Sequence, residues 1–406
     1  MVDRRAFLRF GAGSMLTAAA TNVPADILAQ NSPSSNGSAR IARHVRFGRT
    51  DLRISDICFG SSSSSSVELV RHALDRGVNY FDTAESYRWG RAEEAIGEAL
   101  EGVRDKVFIA TKTKAGASDS RAEIMRALEG SLQRLRTDYV DVYYNHSVNE
   151  VGRLRNPEWR EFVELAKRQG KIRFSGMSGH AGRLSECLEY AIDNDVCDVV
   201  LVAYNFSQDP SFYDKLRHTF HWAAIQPDLP RLLAKAKQKD MGVMVMKTLM
   251  GAKLNDMRRY ERPGGSFAQA AFRWVLSSEH VDALTVSMTS TDLIDEYVAA
   301  SGKPALGSYE NELLERYAYL QAGKYCQPGC NACESSCPNG VGIGEVLRTR
   351  MYAVDYGDVG LARAEYAALP GGAAACLGCA AQPCLGVCPI DVPIAQFTRE
   401  AAVKLA

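Results

Sequence analysis

Between about residue 41 and residue 300, short apolar runs alternate with stretches whose apolar positions recur every three or four residues. The runs at 57–59, 79–81, 107–111, 139–144, 172–176, 199–202, 243–246 and 283–286 predict buried strands, each too short for a helix. A helical period follows most of them, at 91–100, 121–135, 158–168, 184–192, 229–239 and 267–276. Eight strands alternating with helices over about 250 residues predict an α/β chain closed into a (β/α)8 barrel. A doubly wound open sheet is the alternative. No Gly-x-Gly-x-x-Gly opens a helix after the first strand, which counts against a dinucleotide-binding sheet.

The barrel leaves both ends of the 406-residue chain unassigned. The boundaries read as an address segment over 1–29, a linker over 30–40, the barrel over 41–320 and a cysteine-rich domain over 321–406. The 48 basic and 48 acidic residues balance, so no basic field argues for nucleic acid and no acidic tail argues for a basic partner. No stretch nears 18 consecutive apolar residues, so nothing reads as a membrane span.

In such barrels the chemistry sits at the carboxyl ends of the strands. Asp82 follows the second strand, Lys112 the third and His146 the fourth, and Tyr87 lies shortly beyond Asp82. A phenol, with an ordinary pKa of about 10, is a weak proton donor at neutral pH. A buried ammonium beside it favours the phenolate and should lower that value. A carboxylate keeps the lysine charged and placed, and a histidine orients a carbonyl oxygen. Singly, the residues have plainer readings: a loop cap, a surface lysine and a core histidine.

Taken together they resemble a known family. Asn79-Tyr-Phe-Asp82-Thr-Ala-Glu-Ser-Tyr87 with Gly90-Arg-Ala-Glu93, Phe108-Ile-Ala-Thr-Lys112 and Asp141-Val-Tyr-Tyr-Asn-His146 are similar to the motifs of the aldo-keto reductases. The segment 43–55 resembles that family's N-terminal hairpin. The resemblance covers about residues 41–300 and implies a catalytic tetrad. In it Tyr87 protonates a carbonyl, Lys112 tunes Tyr87, Asp82 pairs with Lys112, and His146 orients a small carbonyl or alcohol substrate. It also implies NAD(P), with cofactor contacts from Ser178, Asn205, Met246 and Ser287. Here the chain departs from the pattern. Leu201 stands in place of the usual glutamine, Met246 in place of the stacking aromatic, and 287–292 holds no cation for a 2′-phosphate.

Eight of the eleven cysteines lie between Cys326 and Cys388. Cys326, Cys330, Cys333 and Cys337 form one run closed by Pro338; Cys376, Cys379, Cys384 and Cys388 form another closed by Pro389. The paired Cys-Pro endings resemble two-cluster ferredoxins, which implies two 4Fe–4S clusters and a redox partner protein. By that resemblance Cys337 and Cys388 cross over, each serving the other run's cluster. Two structural zincs or four disulfides remain alternatives. The intervening 346–368 reads as helical, as in helical ferredoxin domains. Cys58, Cys187 and Cys197 read as buried thiols, His218 and His221 as surface residues, and the serine run 61–66 as a loop.

At the amino end, Arg4-Arg5 with Phe7-Leu8, then a weakly apolar run, resemble a twin-arginine (Tat) signal, which exports folded, cofactor-loaded proteins. A periplasmic or otherwise exported oxidoreductase with an aldo-keto reductase barrel and iron–sulfur clusters is the leading expectation. An electron carrier using the barrel as scaffold and a carbonyl-ligand binding module are the others. Replacing Arg4 and Arg5 by lysine should hold the folded protein in the cytoplasm. Fractionation showing wild-type export of the double variant would exclude the signal.

Overall fold

The computed structural model of the chain describes residues 39–180, 182–206, 228–249, 257–321, 326, 330, 332–354, 357–389 and 391–406. The Arg4-Arg5 segment, most of the linker, His218 and His221 lie outside the described residues. Residues 39–406 form one compact unit.

Strands β1 (His44–Arg46) and β2 (Arg53–Ser55) make an antiparallel hairpin. The next eight are β3 (Ile57–Gly60), β4 (Tyr80–Asp82), β5 (Phe108–Thr113), β6 (Val140–Asn145), β7 (Ile172–Gly179), β8 (Val199–Ala203), β9 (Gly242–Met246) and β10 (Ala283–Ser287). All eight pair in parallel, and β10 closes on β3 with Leu284 opposite Ile57 and Ser287 opposite Gly60. The predicted barrel is therefore the observed one. All of these strands but β9 run a residue or more further at their carboxyl ends than the apolar runs, because residues such as Asp82, Lys112 and Asn145 are themselves in the ladders. Apolar patterning marks a strand's middle, whereas the polar ends carry the site.

The strands are apolar on both faces because both are covered. Outward residues such as Ile109, Val140 and Val243 pack in one large cluster with helix residues such as Leu128, Phe162 and Leu232. Inward residues Cys58, Tyr80, Ala110, Val142, Tyr144, Leu201 and Met244 fill the barrel interior, and Phe47, Leu52 and Ile54 from the hairpin pack with them. Gly48 takes φ +53, and a Cβ there would lie 2.1 Å from the Gly242 amide nitrogen. Only glycine lets the hairpin approach the start of β9 so closely, at the end of the barrel opposite the site.

The described helices are α1 (Val67–Asp75), α2 (Arg91–Ala99), α3 (Arg121–Arg134), α4 (Val151–Arg155), α5 (Pro157–Arg168), α6 (Leu184–Asp193), α7 (Leu229–Gln238), α8 (Phe267–Leu276), α9 (Thr291–Val298) and α10 (Ser308–Gln321). Three more follow: α11 (Ile343–Val354), α12 (Val359–Ala367) and α13 (Ile394–Leu405). Their own apolar cluster joins Ile343, Val346 and Leu347 of α11, Ala362 and Tyr366 near α12, Ala401 and Leu405 of α13, and Cys333. An ion pair of Arg88 with Asp358 and an approach of Lys114 Nζ to Glu365 Oε1 at 3.8 Å tie this segment to the carboxyl-end loops of the barrel. Among the described residues no helix is long and apolar enough to cross a membrane.

Candidate functional site

Asp82 ends β4, and Lys112 sits two residues beyond Asp82's partner Ala110 on β5. Adjacent parallel strands thus bring the two side chains together inside the barrel mouth. Lys112 Nζ donates to Asp82 Oδ2 at 2.7 Å and to the Thr83 carbonyl oxygen at 2.6 Å. The side chains are 1% and 5% exposed. Burial pulls the Lys112 ammonium down from its ordinary value, and the Asp82 charge opposes that shift. Burial likewise raises Asp82, with Lys112 opposing. The pair is charge-compensated but dry, so removing either partner strands the other.

Tyr87 opens a turn that places Arg88 at φ 52 and Trp89 at φ 56, with Gly90 following at φ 86. Two successive non-glycine residues in the left-handed region store local strain of about 1–3 kcal/mol each. That strain is held in place on the C-terminal side of the site: Arg88 donates to the Ser63 carbonyl at 3.2 Å and pairs with Asp358. The turn directs the Tyr87 ring to 5.0 Å from Lys112 Nζ, measured to the ring centroid. The His146 ring meets it edge-on at 5.5 Å.

The direction of the Tyr87 shift corrects the sequence expectation. Burial, then the Asp82 charge and the neighbouring Tyr352 and Glu365, push its hydroxyl well above the ordinary value. The Lys112 charge is already matched by Asp82, so the phenol stays protonated. Burial, followed by Lys112, Lys114, His180 and Arg153, drives His146 well below its usual value and keeps it neutral. Among the described residues, Asp82 Oδ1, His146 Nδ1 and Thr285 Oγ1 are buried polar atoms without a hydrogen-bond partner. All three residues line one cavity of about 1110 Å³, as do Tyr87 and Lys112.

Ser178, Met246 and Ser287 also line that cavity. Ser178 Oγ accepts from the Ser147 amide at 3.0 Å, and Ser287 Oγ lies 2.7 Å from Ser62 Oγ. Asn205 is not among the lining residues. Fully buried, it donates from Nδ2 to the Lys247 carbonyl at 3.2 Å and braces a residue held at φ 58. Its role in this structure is one step removed from the cavity, while Lys247 itself lines it. Ser62 and Ser63, read as loop residues, line the cavity too. Sequence reasoning missed the roof altogether: Glu345, Arg348 and Tyr352 of α11, Asp358, and Glu365 of α12 complete the lining. Nothing local marks them, since they reach the barrel only through tertiary packing.

Behind the roof lie two narrow clefts. One is lined by Cys326, Cys330, Cys333 and Cys388, the other by Cys337, Cys376, Cys379 and Cys384. The last cysteine of each run therefore stands with the other run's trio. Burial, then Cys330, Cys333 and Cys388, push the Cys326 thiol well up, and Cys333 is pushed up to about 12. Cys388 Sγ accepts from the Val392 amide at 3.3 Å, and Arg399 donates to the carbonyls of Cys376 and Cys379 at 3.0 and 2.8 Å. Among the described residues, which include all eleven cysteines, no disulfide forms. Nor do three or more His, Cys, Asp or Glu residues converge there as ligands for one metal ion.

The aldo/keto reductase family model matches residues 57–317. Among curated proteins, the uncharacterized oxidoreductase YqkF of Bacillus subtilis is 30% identical over 182 residues, 41% of this chain and 58% of that protein. The chain thus spans little more than half the length of that relative. L-galactose dehydrogenase of Arabidopsis thaliana is 26% identical over 316 residues, covering 68% and 94% of the two chains. A crystal structure of an aldo-keto reductase from Klebsiella pneumoniae in complex with NADPH aligns with a TM-score of 0.52 and 26% identity, over 68% of this chain and 94% of that one.

The buried pair has a direct test. Asp82→Asn leaves the Lys112 ammonium without its counter-charge and should lower the unfolding free energy in urea by about 3–5 kcal/mol. Adding Lys112→Met should recover most of that loss. Additive destabilisation in the double variant would show that the two groups do not act as a pair.

Proposed function

The chain belongs to the aldo/keto reductase family, and on that premise we propose that it is an exported oxidoreductase that interconverts a carbonyl compound and an alcohol. The observation that carries this reading is the convergence of Tyr87, the Lys112–Asp82 pair and neutral His146 on one cavity. A bound nicotinamide would supply or accept the hydride at the carbonyl carbon. Tyr87, held protonated, gives its proton to the carbonyl oxygen as the C–H bond forms. The phenolate left behind is stabilised by the nearby Lys112 ammonium, which Asp82 keeps charged. His146, neutral and edge-on to Tyr87, orients the substrate oxygen without competing as an acid. An electron carrier using the barrel as a scaffold would have no use for this arrangement.

The residues present fit a dinucleotide. The cavity of about 1110 Å³ exceeds the roughly 300–1,000 Å³ of ordinary small-molecule sites, leaving room for cofactor and substrate together. Ser178, Met246 and Ser287 lie along the barrel wall, and the orphaned Thr285 hydroxyl offers a further polar contact. Lys247 also lines the cavity and supplies a cation that 287–292 lacks, which favours NADP over NAD, whereas Arg258, also in the lining, is paired with Glu261 and Glu296. The Klebsiella relative's complex with NADPH supports the same assignment. A roofed cavity suits an exported enzyme that carries its nicotinamide out tightly bound.

The C-terminal cysteines suit two 4Fe–4S clusters, one on Cys326, Cys330, Cys333 and Cys388 and one on Cys376, Cys379, Cys384 and Cys337. Each set of four cysteines lines one cleft, and the paired Cys-Pro endings favour an iron–sulfur cluster over zinc there. Such clusters would pass single electrons to or from a redox partner protein.

Tyr87→Phe removes the proton donor and keeps the ring, so steady-state carbonyl reduction should fall by about 10²–10⁴ while substrate affinity changes far less. Unchanged turnover would refute the donor assignment. For the clusters, Cys388→Ser should alter the electron paramagnetic resonance signal of the centre built on Cys326, Cys330 and Cys333. A change confined to the centre built on Cys376 would mean that each run holds its own cluster.

A further inference from the structure

Each reduction by the route assigned above leaves Tyr87 as a phenolate, which must recover a proton before the next. The groups beside it are poor sources. The Lys112 ammonium is committed to Asp82 Oδ2 and the Thr83 carbonyl, and its proton could leave only by stranding the Asp82 carboxylate in a dry site. His146 is held neutral, driven well below its usual value by burial and then by Lys112.

A second phenol lines the same cavity, on the segment that bears the cysteines. Tyr352 of α11 is fixed there at two points. Its backbone carbonyl accepts from the Asp358 amide at 2.9 Å, and the Asp358 carboxylate pairs with Arg88, the residue that follows Tyr87. Its hydroxyl oxygen accepts from Arg348 Nη1 at 2.8 Å. Arg348 is itself held by Glu345, at 2.9 and 2.6 Å, and by Glu365 at 3.3 Å. The first contact ties Tyr352 to the turn that carries Tyr87, and the second aims its oxygen.

The two phenols sit in opposite fields. Burial raises both, but at Tyr352 the charges of Arg348 and then Lys247 outweigh it and bring the hydroxyl below its ordinary value. At Tyr87 the charges of Asp82, Tyr352 and Glu365 add to burial. A proton therefore moves downhill from Tyr352 to a Tyr87 phenolate.

We propose that Tyr352 is a proton relay: once Tyr87 has protonated the carbonyl oxygen, the Tyr352 hydroxyl reprotonates the Tyr87 phenolate across the cavity, and the Tyr352 phenolate, bonded to Arg348, takes its proton back from water. Protons pass from water to the alcohol one phenol at a time, and no electron moves with them. The proposal rests on the carbonyl reduction assigned above and adds to it a residue that acts through Tyr87. It also gives the cysteine-bearing segment a part in the chemistry of the barrel.

The test follows NADPH absorbance by stopped flow with the full-length protein and glyceraldehyde or propanal. In Tyr352→Phe the first turnover should run at the wild-type rate, because Tyr87 starts protonated. Later turnovers should slow by about 10²-fold, the low end for a lost proton-transfer group. In Tyr352→Ala, added phenol should restore the later turnovers, and toluene, which fills the same space without a hydroxyl, should not. First and later turnovers slowed alike would mean that Tyr352 only shapes the site around Tyr87, and would overturn the relay. An unchanged Tyr352→Phe, or equal rescue by phenol and toluene, would overturn it too, while leaving the reductase reading intact. If the wild type oxidises NADPH with neither aldehyde, the reductase reading itself has failed and the relay falls with it.

Discussion

A charged pair buried at the mouth of an apolar barrel organises this molecule. Lys112 and Asp82 are almost wholly withdrawn from water, and each is kept ionic chiefly by the other. Such a pair stabilises a fold poorly, because its desolvation offsets much of its attraction. It is tolerable only where strand register holds the two groups at bonding distance, as the β4–β5 ladder does here. What the pair provides is a fixed positive centre beside a phenol that burial keeps protonated. The fold therefore places a protonated phenol beside a cation that would stabilise its conjugate base.

The second organising element is α11, which has two working faces. One carries apolar residues into the core around the cysteine clefts, and the other carries charged and hydroxyl groups into the barrel cavity. The Arg88–Asp358 pair adds a direct tie between the strained turn after Tyr87 and the roof. Geometry at Tyr87 and folding of the cysteine segment are thus mechanically linked, which would make loss of the C-terminal fold felt at Tyr87.

Much of this was legible in the sequence, for identifiable reasons. The barrel strands are covered on both faces, so they read as unbroken apolar runs between helices, and all eight emerged. Asp82, Lys112 and His146 were visible because a barrel puts strand ends in one place whatever their separation in the chain. The ionisation of Tyr87 was misjudged because its depth of burial and the approach of Tyr352 and Glu365 are three-dimensional facts. Asn205 sits one shell behind the cavity, a distinction that spacing along β8 does not encode. The roof residues were invisible for a different reason: Glu345, Arg348 and Tyr352 look like an ordinary solvated helix face until the segment folds back onto the barrel.

The central claim is that hydride and proton meet at a carbonyl inside this one cavity. NADPH carrying deuterium at both positions of nicotinamide C4, incubated anaerobically with the full-length protein and a carbonyl substrate, tests it most directly. The account predicts one deuterium on the former carbonyl carbon of the alcohol, detected by mass spectrometry, and its loss in Tyr87→Phe in step with turnover. Alcohol formed without deuterium would contradict it, because the electrons would then have reached the carbonyl by another route.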